Sequence, residues 1–353
     1  MTPKFSVCIV NHNGRSHLPG SLPGVHSLST FADEILLLDN ASSDGSQDMF
    51  LSLVPAGRVV QLEENRSPGS ARSAGFHAVR NDFVLFADND ICLTPEAVLE
   101  LARALVERPQ AVIAMPRVVL AERPGKIQYE GAFCHWLGHM ILRNEDAMLR
   151  SPDQPPQNVD SMISACFMVV RSRWKDAVFF DPGYAFYYED HDVGVRARLS
   201  GADILAVPHA MVLHGSGTPD LSMRPGGAYS SRRIRTLIEG RWRHLLKNLS
   251  GRGFLILLPA LLAYEMAQLA GVIVKGWLPH WWQALCATVR ALPEIRIARR
   301  SIQGSRRLPD RELLRGGPLP FKPELIRGRA AGMALSAMNS LSAAYWTLAR
   351  RLL

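Results

Sequence analysis

Short apolar runs bounded by charge alternate with segments of helical spacing along the N-terminal part of the chain. Phe5–Val10, Ile35–Leu38, Val59–Leu62 and Phe83–Phe86 have the length and the Val, Ile, Leu and Phe content of strands buried in a sheet. Asp44–Leu53 and Gly69–Asn81 read as helices between them, and Ser42 or Ser43 is placed to cap the first. Repeated strand–helix–strand order predicts an α/β fold with a doubly wound, mostly parallel sheet and right-handed crossovers. Ligands of such sheets bind beyond the carboxyl ends of the strands, where Asn11, Asp39 and Asp88 fall.

Between Pro116 and Pro156 the pattern turns irregular, with Pro, Gly and aromatic residues mixed. An apolar strand resumes at Ile163–Val170. A helix follows from about Asp192 to Leu199, with Gly201 placed to end it. Ile204–Val207 and Ala210–Leu213 read as two further strands leading to His214. Beyond Arg224 the chain becomes basic and helical, and it closes with a moderately amphipathic segment, Arg329–Leu353.

Charge divides the chain at the same place. The formal net charge is +8, yet residues 1–223 hold 18 Lys/Arg against 26 Asp/Glu, and residues 224–353 hold 22 against 6. The second part is rich in Leu, Ala and Trp, which excludes a disordered basic tail. Five scattered cysteines without a CxxC pair argue against a zinc site or a disulfide framework and fit a reducing cytosol. Met1-Thr-Pro-Lys runs straight into the first strand, so no secretory leader is expected. Phe254–Val274 is long enough to span a bilayer, but Pro259, Glu265 and Gln268 interrupt it. Arg241, Arg243, Lys247 and Arg252 precede it, and Lys275, Trp277, Trp281 and Trp282 follow. Cations attract anionic headgroups and Trp prefers the interface, so helices lying in the inner leaflet are the expectation. A buried hairpin that dimerises is the alternative.

Two acidic stretches carry the candidate chemistry. In an extended chain, residues two apart share a side, so Asp88 and Asp90 of Asp88-Asn89-Asp90 are expected to converge on one hard cation shared with substrate phosphates. Taken singly, such a pair after a strand is more often a loop cap. Phe186-Tyr-Tyr-Glu189-Asp190-His-Asp192 would supply a separate carboxylate as a base. Asp39-Asn-Ala-Ser-Ser-Asp44-Gly-Ser is in part a helix-capping turn, and Asp39 could also accept hydrogen bonds from a ribose or base. GxGxxG and GxxxxGK[ST] are both missing, which speaks against dinucleotide and P-loop sites. Gly69, Ser70, Ala71 and Gly75 open a helix with small residues that suit phosphate, and Arg72 would add positive charge there unless it lies on a solvated face. His214 is a lone histidine, of interest because the Asp pair leaves a coordination position open.

In order, Val-Asn11-His-Asn13-Gly14, Leu-Asp39 through Asp44-Gly-Ser, Glu-Asn65 with Gly69 and Gly75, Asp88-Asn-Asp90, Ser-Ala-Cys166 through Arg171, Tyr188-Glu189-Asp190-His-Asp192 and Pro208 through His214 resemble family 2 glycosyltransferases. The likeness is greatest to the bacterial rhamnosyltransferase-like branch that builds surface polysaccharides, and it spans about residues 4–220. It implies a GT-A catalytic domain over residues 1–223, about 1–115 for the nucleotide-sugar and about 116–223 for the acceptor. Residues 224–353 would be a basic helical membrane-associating region. The implied activity is an inverting, metal-dependent transfer from a nucleotide-sugar to a saccharide, lipid-linked, with Mg2+ or Mn2+ as cofactor. Carried onto matching positions, Asn11 and Asp39 face the nucleotide, Arg72 its phosphates and Asp88 the ribose or metal. Asp90 and His214 bind the metal, and Asp190 is the base, with Glu189 beside it in the catalytic acidic pair. His12 departs from the family's usual Tyr. The implied location is cytoplasmic, attached peripherally to the inner face of the cell membrane, with the oligomeric state open.

Two other readings are possible from the sequence. A sugar nucleotidyltransferase of similar fold would open with a Gly-rich, Arg-containing loop after the first strand, which Asn11-His-Asn-Gly14-Arg15 matches poorly. A nucleic-acid-binding protein could use the basic C-terminal part. It lacks a recognised motif, and its basic residues alternate with apolar runs, so no nucleic-acid partner is expected.

Overall fold

The computed structural model describes residues 3–151, 154–215, 217, 230–319, 321 and 329–353. In chain order the elements are β1 (Phe5–Asn11), α1 (Leu18–Ser27), β2 (Glu34–Asp39), α2 (Ser46–Leu53), β3 (Arg58–Gln61), α3 (Pro68–Ala78), β4 (Phe83–Asp88), β5 (Ile91–Cys92) and α4 (Pro95–Glu107). Next come β6 (Ala111–Leu120), β7 (Ile127–Tyr129), β8 (Ala132–His135), β9 (Met140–Leu142), β10 (Gln157–Val159), β11 (Cys166–Val170), α5 (Glu189–Leu199) and β12 (Asp203–His214). The remainder is α6 (Ser231–Asn248), α7 (Gly251–Val274), α8 (Leu278–Arg290), α9 (Leu292–Ser305), α10 (Asp310–Leu313), β13 (Leu314–Arg315) and α11 (Arg329–Leu352).

The chain forms two compact units. The first comprises Met1–Ala132, Leu142–Arg198 and Ala202–Ala228. Its sheet has the order β10-β12-β6-β11-β4-β1-β2-β3, with β5 added to β12 and β7 to β6. Strands β4, β1, β2 and β3 run parallel, whereas β11 is antiparallel to both β4 and β6. Every residue of β1 is buried, which is why Phe5–Val10 reads as a continuous run rather than an alternation. Asn11 pairs in register with Asp39, and Val10 with Asp88. The expected strand-end residues therefore share one edge of the sheet.

Several local expectations give way to tertiary context. Ser42 and Ser43 do not cap α2; the residue before that helix is Gly45, and Ser42 turns back onto Asp39. Helix α5 starts at Glu189, three residues ahead of the expected Asp192. The stretch expected to be irregular opens with β6, which continues through Pro116 to Leu120. The two strands expected near residues 204 and 210 are one strand, β12, with a register shift between Val207 and Met211. Val207 is the register partner of Pro116, whose nitrogen has no hydrogen to give a ladder, so the break falls beside the residue that cannot pair.

The second unit comprises Phe133–Ile141, Leu199–Gly201 and Tyr229–Leu353. Its helices bury charged side chains among apolar ones and leave apolar side chains outside. Helix α6 buries Arg233, Arg241, Arg243 and Lys247. Helix α7 buries Leu257, Leu261, Tyr264 and Glu265 on one face and exposes Leu255, Leu262, Met266 and Ile273 on the opposite one. Glu265 accepts hydrogen bonds from Arg241 Nη1 and Trp281 Nε1, each 2.9 Å long. The Arg241 guanidinium lies 4.7 Å from the Tyr264 ring centroid and donates through Nε to the Leu137 carbonyl at 2.9 Å. A carboxylate inside a long apolar helix is thus matched from within the unit. Helix α11 repeats the pattern, with Trp346 and Ala349 inward and Met333, Leu341, Leu348 and Leu352 exposed.

Candidate active site

All eight sequence-selected residues lie in the first unit, and its strand ends build the site from below. Asn11 is buried at the end of β1. Its Nδ2 donates to Asp39 Oδ1 at 3.0 Å and Ser46 Oγ at 2.9 Å, while its Oδ1 accepts from Asn89 Nδ2 at 2.9 Å. A Cβ on Gly14 would stand 2.0 Å from that Asn89 nitrogen, so only glycine leaves room for the bridge. Asp39 is also fully buried; its Oδ2 accepts from the Ser42 amide at 2.9 Å and Gln47 Nε2 at 2.6 Å. Burial opposes its charge, but these hydrogen bonds outweigh burial and hold its carboxyl below the usual range. Asn11 and Asp39 thus spend their polar atoms within the loops at the strand ends. His12 is exposed with both ring nitrogens engaged, Nδ1 donating to the Asn40 carbonyl at 2.8 Å and Nε2 accepting from Asn65 Nδ2 at 2.9 Å.

Arg72 is not on a solvated face. It projects from α3 into the protein with 2% of its surface exposed, and its Nη2 donates to Asp88 Oδ1. Its Nε and Nη1 have no hydrogen-bond partner among the described residues, so donor capacity is left over beside a carboxylate. Burial pushes Asp88 up to about 6; Arg72 and His214 oppose this, and the charges of Asp90 and Asp190 add to it.

Asp90 reaches the same place by a different route from the expected extended chain. Asn89 and Asp90 form a turn between β4 and β5. β5 pairs with the end of β12 so that Ile91 faces His214. Asp90 Oδ2 accepts from the Gly217 amide at 2.9 Å, and its Oδ1 stands 3.4 Å from His214 Nε2. Burial works against ionisation of Asp90, but contact with His214 and the Gly217 amide outweighs it and lowers the carboxyl. His214 Nδ1 is 2.8 Å from Gln128 Oε1. Gln128, Asn89 and Gln47 join the site through these hydrogen bonds. Gln128 lies in the stretch that shows no periodicity, so no local signal marks it.

The second acidic pair sits at the start of α5. A Cβ on Gly194 would stand 2.6 Å from the Met162 amide nitrogen, so the glycine lets α5 press against the 161–162 backbone and fixes the helix start. Tyr187 and Tyr188, just before it, have φ of 62° and 64°, which side-chain-bearing residues rarely adopt. Strain of this kind persists where surrounding structure enforces it, often at functional sites. Tyr188 is buried, whereas Tyr187 is half-buried. Asp190 Oδ1 accepts from the His191 amide at 2.7 Å. Burial raises both carboxyls, and the neighbouring Asp190 charge helps push Glu189 to about 8. Backbone amides of His191 and Ser164 and the charge on Arg72 favour ionised Asp190, while Glu189 Oε2 has no hydrogen-bond partner among the described residues. Of the two, Asp190 has the surroundings that favour the ionised form, and Glu189 is the one held up by its neighbour's charge.

These groups share one electrostatic site, because Asp88 feels Arg72, Asp90, His214 and Asp190, and Glu189 feels Arg72 and Asp88. Asp88 is paired with Arg72, and Asp90 with His214 and the Gly217 amide, so two carboxylates and one imidazole lie in one neighbourhood. That donor set suits a hard divalent cation such as Mg2+ or Mn2+.

Residues 6–173 match the family described as Glycosyl transferase family 2. The chain is 26% identical over 236 residues to the N-acetylglucosaminyl-diphospho-decaprenol L-rhamnosyltransferase of Mycobacterium tuberculosis, covering 61% of this chain and 76% of the relative. It is 34% identical over 111 residues to the undecaprenyl-phosphate 4-deoxy-4-formamido-L-arabinose transferase of Serratia proteamaculans, covering 30% and 34%. Among solved structures, S. aureus TarS 1–349 in complex with UDP superposes with a TM-score of 0.53 at 17% identity, over 96% of this chain and 89% of that one. GalNAc-T7 with UDP, GalNAc and Mn2+ gives 0.52 at 18% identity, over 68% and 47%. At these identities the likeness to solved structures is one of fold.

Proposed function

We propose that the chain, whose residues 6–173 match Glycosyl transferase family 2, is a family 2 glycosyltransferase with a GT-A fold that transfers a glycosyl group from a nucleotide-sugar to a lipid-linked saccharide, with inversion, at the inner face of the cell membrane. The observation that carries this reading is the convergence of Arg72, Asp88, Asp90, His214 and the Glu189–Asp190 pair in one site. The catalytic part is residues 1–223, with residues 224–353 serving the membrane.

In this reading Asn11 and Asp39 shape the loop that receives the nucleotide, and Arg72 faces its diphosphate with spare donors. Asp88, Asp90 and His214 would hold Mg2+ or Mn2+, which offsets the charge growing on the departing diphosphate. Asp190 takes the proton of the acceptor hydroxyl as that oxygen attacks the anomeric carbon from the face opposite the leaving group. Its place in the first turn of α5 helps keep it ionised until then. One displacement inverts the centre and needs no enzyme nucleophile.

The lipid-linked acceptor is supported by relatives named for decaprenol and undecaprenyl-phosphate substrates. Membrane docking is supported by the second unit's outward apolar faces and its exposed Arg252, Lys275, Arg290, Arg296 and Arg300. Helix α7 has the length and composition of a span. A span would, however, carry the Arg241–Glu265 pair and arginine-rich α6 into hydrocarbon, so in-plane docking is the better reading.

The test is a screen of nucleotide-sugars with Mn2+ and a polyprenyl-linked saccharide. Release of nucleoside diphosphate with lengthening of the acceptor is expected. Release of pyrophosphate would instead make the protein a nucleotidyltransferase.

A further inference from the structure

We infer that Gln128 is a positioning residue for the cation site, holding the His214 imidazole so that Nε2 is presented towards Asp90; this rests on the metal-dependent reading above. Gln128 occupies a singular place in the sheet. Val118 pairs with Tyr129 and Val119 with Ile127, so the antiparallel ladder of β6 and β7 skips Gln128, the extra residue of a bulge. Bulges re-aim a side chain away from the regular pleat and recur beside active sites. Here the re-aimed amide reaches His214, which ends β12 as the register partner of Leu120 at the end of β6.

The hydrogen bond fixes the chemistry of the ring. Gln128 Oε1 can only accept, so the hydrogen between it and Nδ1, 2.8 Å away, belongs to the imidazole. In the neutral ring Nε2 then carries a bare lone pair. That lone pair stands 3.4 Å from Asp90 Oδ1, which is itself an acceptor. Two acceptors at this separation repel unless a proton on Nε2 or a metal cation joins them, and 3.4 Å is long for a direct hydrogen bond. Adjacent ligands of one ion, each bonded at about 2.1 Å, stand roughly 3–3.5 Å apart. The Asp90–His214 spacing therefore suits two ligands of one ion, and Gln128 selects the tautomer that permits it. Partners of this kind orient metal-bound histidines and typically govern about 10–100-fold in metal affinity.

The experiment uses the full chain and Mn2+ alone, titrated by electron paramagnetic resonance, on wild type, Gln128→Leu, Gln128→Glu and Asp90→Ala. Gln128→Leu is expected to weaken Mn2+ binding about 10–100-fold. Gln128→Glu, which still accepts the Nδ1 hydrogen, should bind at least as well as wild type, and Asp90→Ala should lose the site. Nitrogen chemical shifts of the His214 ring should report the Nδ1–H tautomer in metal-free wild type. If wild type and Asp90→Ala bind Mn2+ equally or not at all, the metal reading falls and this inference with it. Gln128 alone is overturned if Asp90→Ala loses Mn2+ while Gln128→Leu binds like wild type, or if the wild-type ring is the Nε2–H tautomer. Should Gln128→Leu fail to fold, a tenfold loss in folded Gln128→Glu is equally fatal.

Discussion

Asp190 and Glu189 differ by one backbone step, yet their surroundings differ. Asp190 is bonded by its neighbour's amide, and Glu189 Oε2 has no hydrogen-bond partner among the described residues. Asp190→Asn should leave donor binding nearly intact while turnover falls about 10²–10⁴-fold, because the amide keeps the shape but cannot take a proton. Calorimetric loss of donor binding would move Asp190 into the nucleotide site. A base works deprotonated, so activity should be full above the Asp190 pKa and vanish as pH falls through it. Since burial raises that pKa, the acid limb of kcat/KM should lie above the ordinary carboxylate range near pH 4. Glu189→Gln should not shift this limb, since Glu189 already holds its proton there. A limb moved to lower pH would show that the two carboxyls titrate in the opposite order.

At the scale of elements, α7 shows why a carboxylate in an apolar helix is no bar to membrane docking. Glu265 is turned inward onto Arg241 and Trp281, leaving an unbroken apolar stripe outside. Removing one partner of a buried ion pair leaves an uncompensated charge, at a cost of about 3–5 kcal/mol. Glu265→Leu should therefore lower the denaturation midpoint strongly, and adding Arg241→Leu should recover much of the loss. Additive losses in the double variant would mean that the pair is not coupled. Helix α5 carries a parallel lesson. Its early start at Glu189 places Asp190 in the first turn, and Gly194 permits the packing that anchors it.

For the whole molecule, the chemistry is proposed to reside in the acidic N-terminal part and docking in the basic C-terminal part. Leu262, Met266 and Ile273 are 52%, 65% and 57% exposed, so Glu at all three should spare the fold and act on what covers that face. The triple variant is expected to lose flotation with anionic vesicles while transfer to a short soluble acceptor continues. Unchanged flotation accompanied by a halved mass in solution would make the stripe a dimer interface.

The sequence by itself determined the strand–helix order, the strand ends that carry Asn11, Asp39 and Asp88, and the acidic pairs. Buried parallel strands are continuous apolar runs, and a run's end is visible wherever charge begins. It also carried the family likeness, because ordered short motifs survive when the intervening residues change. Tertiary structure alone decided that Asp90 arrives by a turn and a β5–β12 pairing, since the backbone between Asp88 and Asp90 is set by partners far along the chain. It likewise decided that Pro116 sits inside a strand, that Arg72 is buried, and that the amide of Gln128 is thrown out of a bulge onto His214. None of these has a local signature: each depends on which distant strand lies alongside, and strand pairing is written in no single segment.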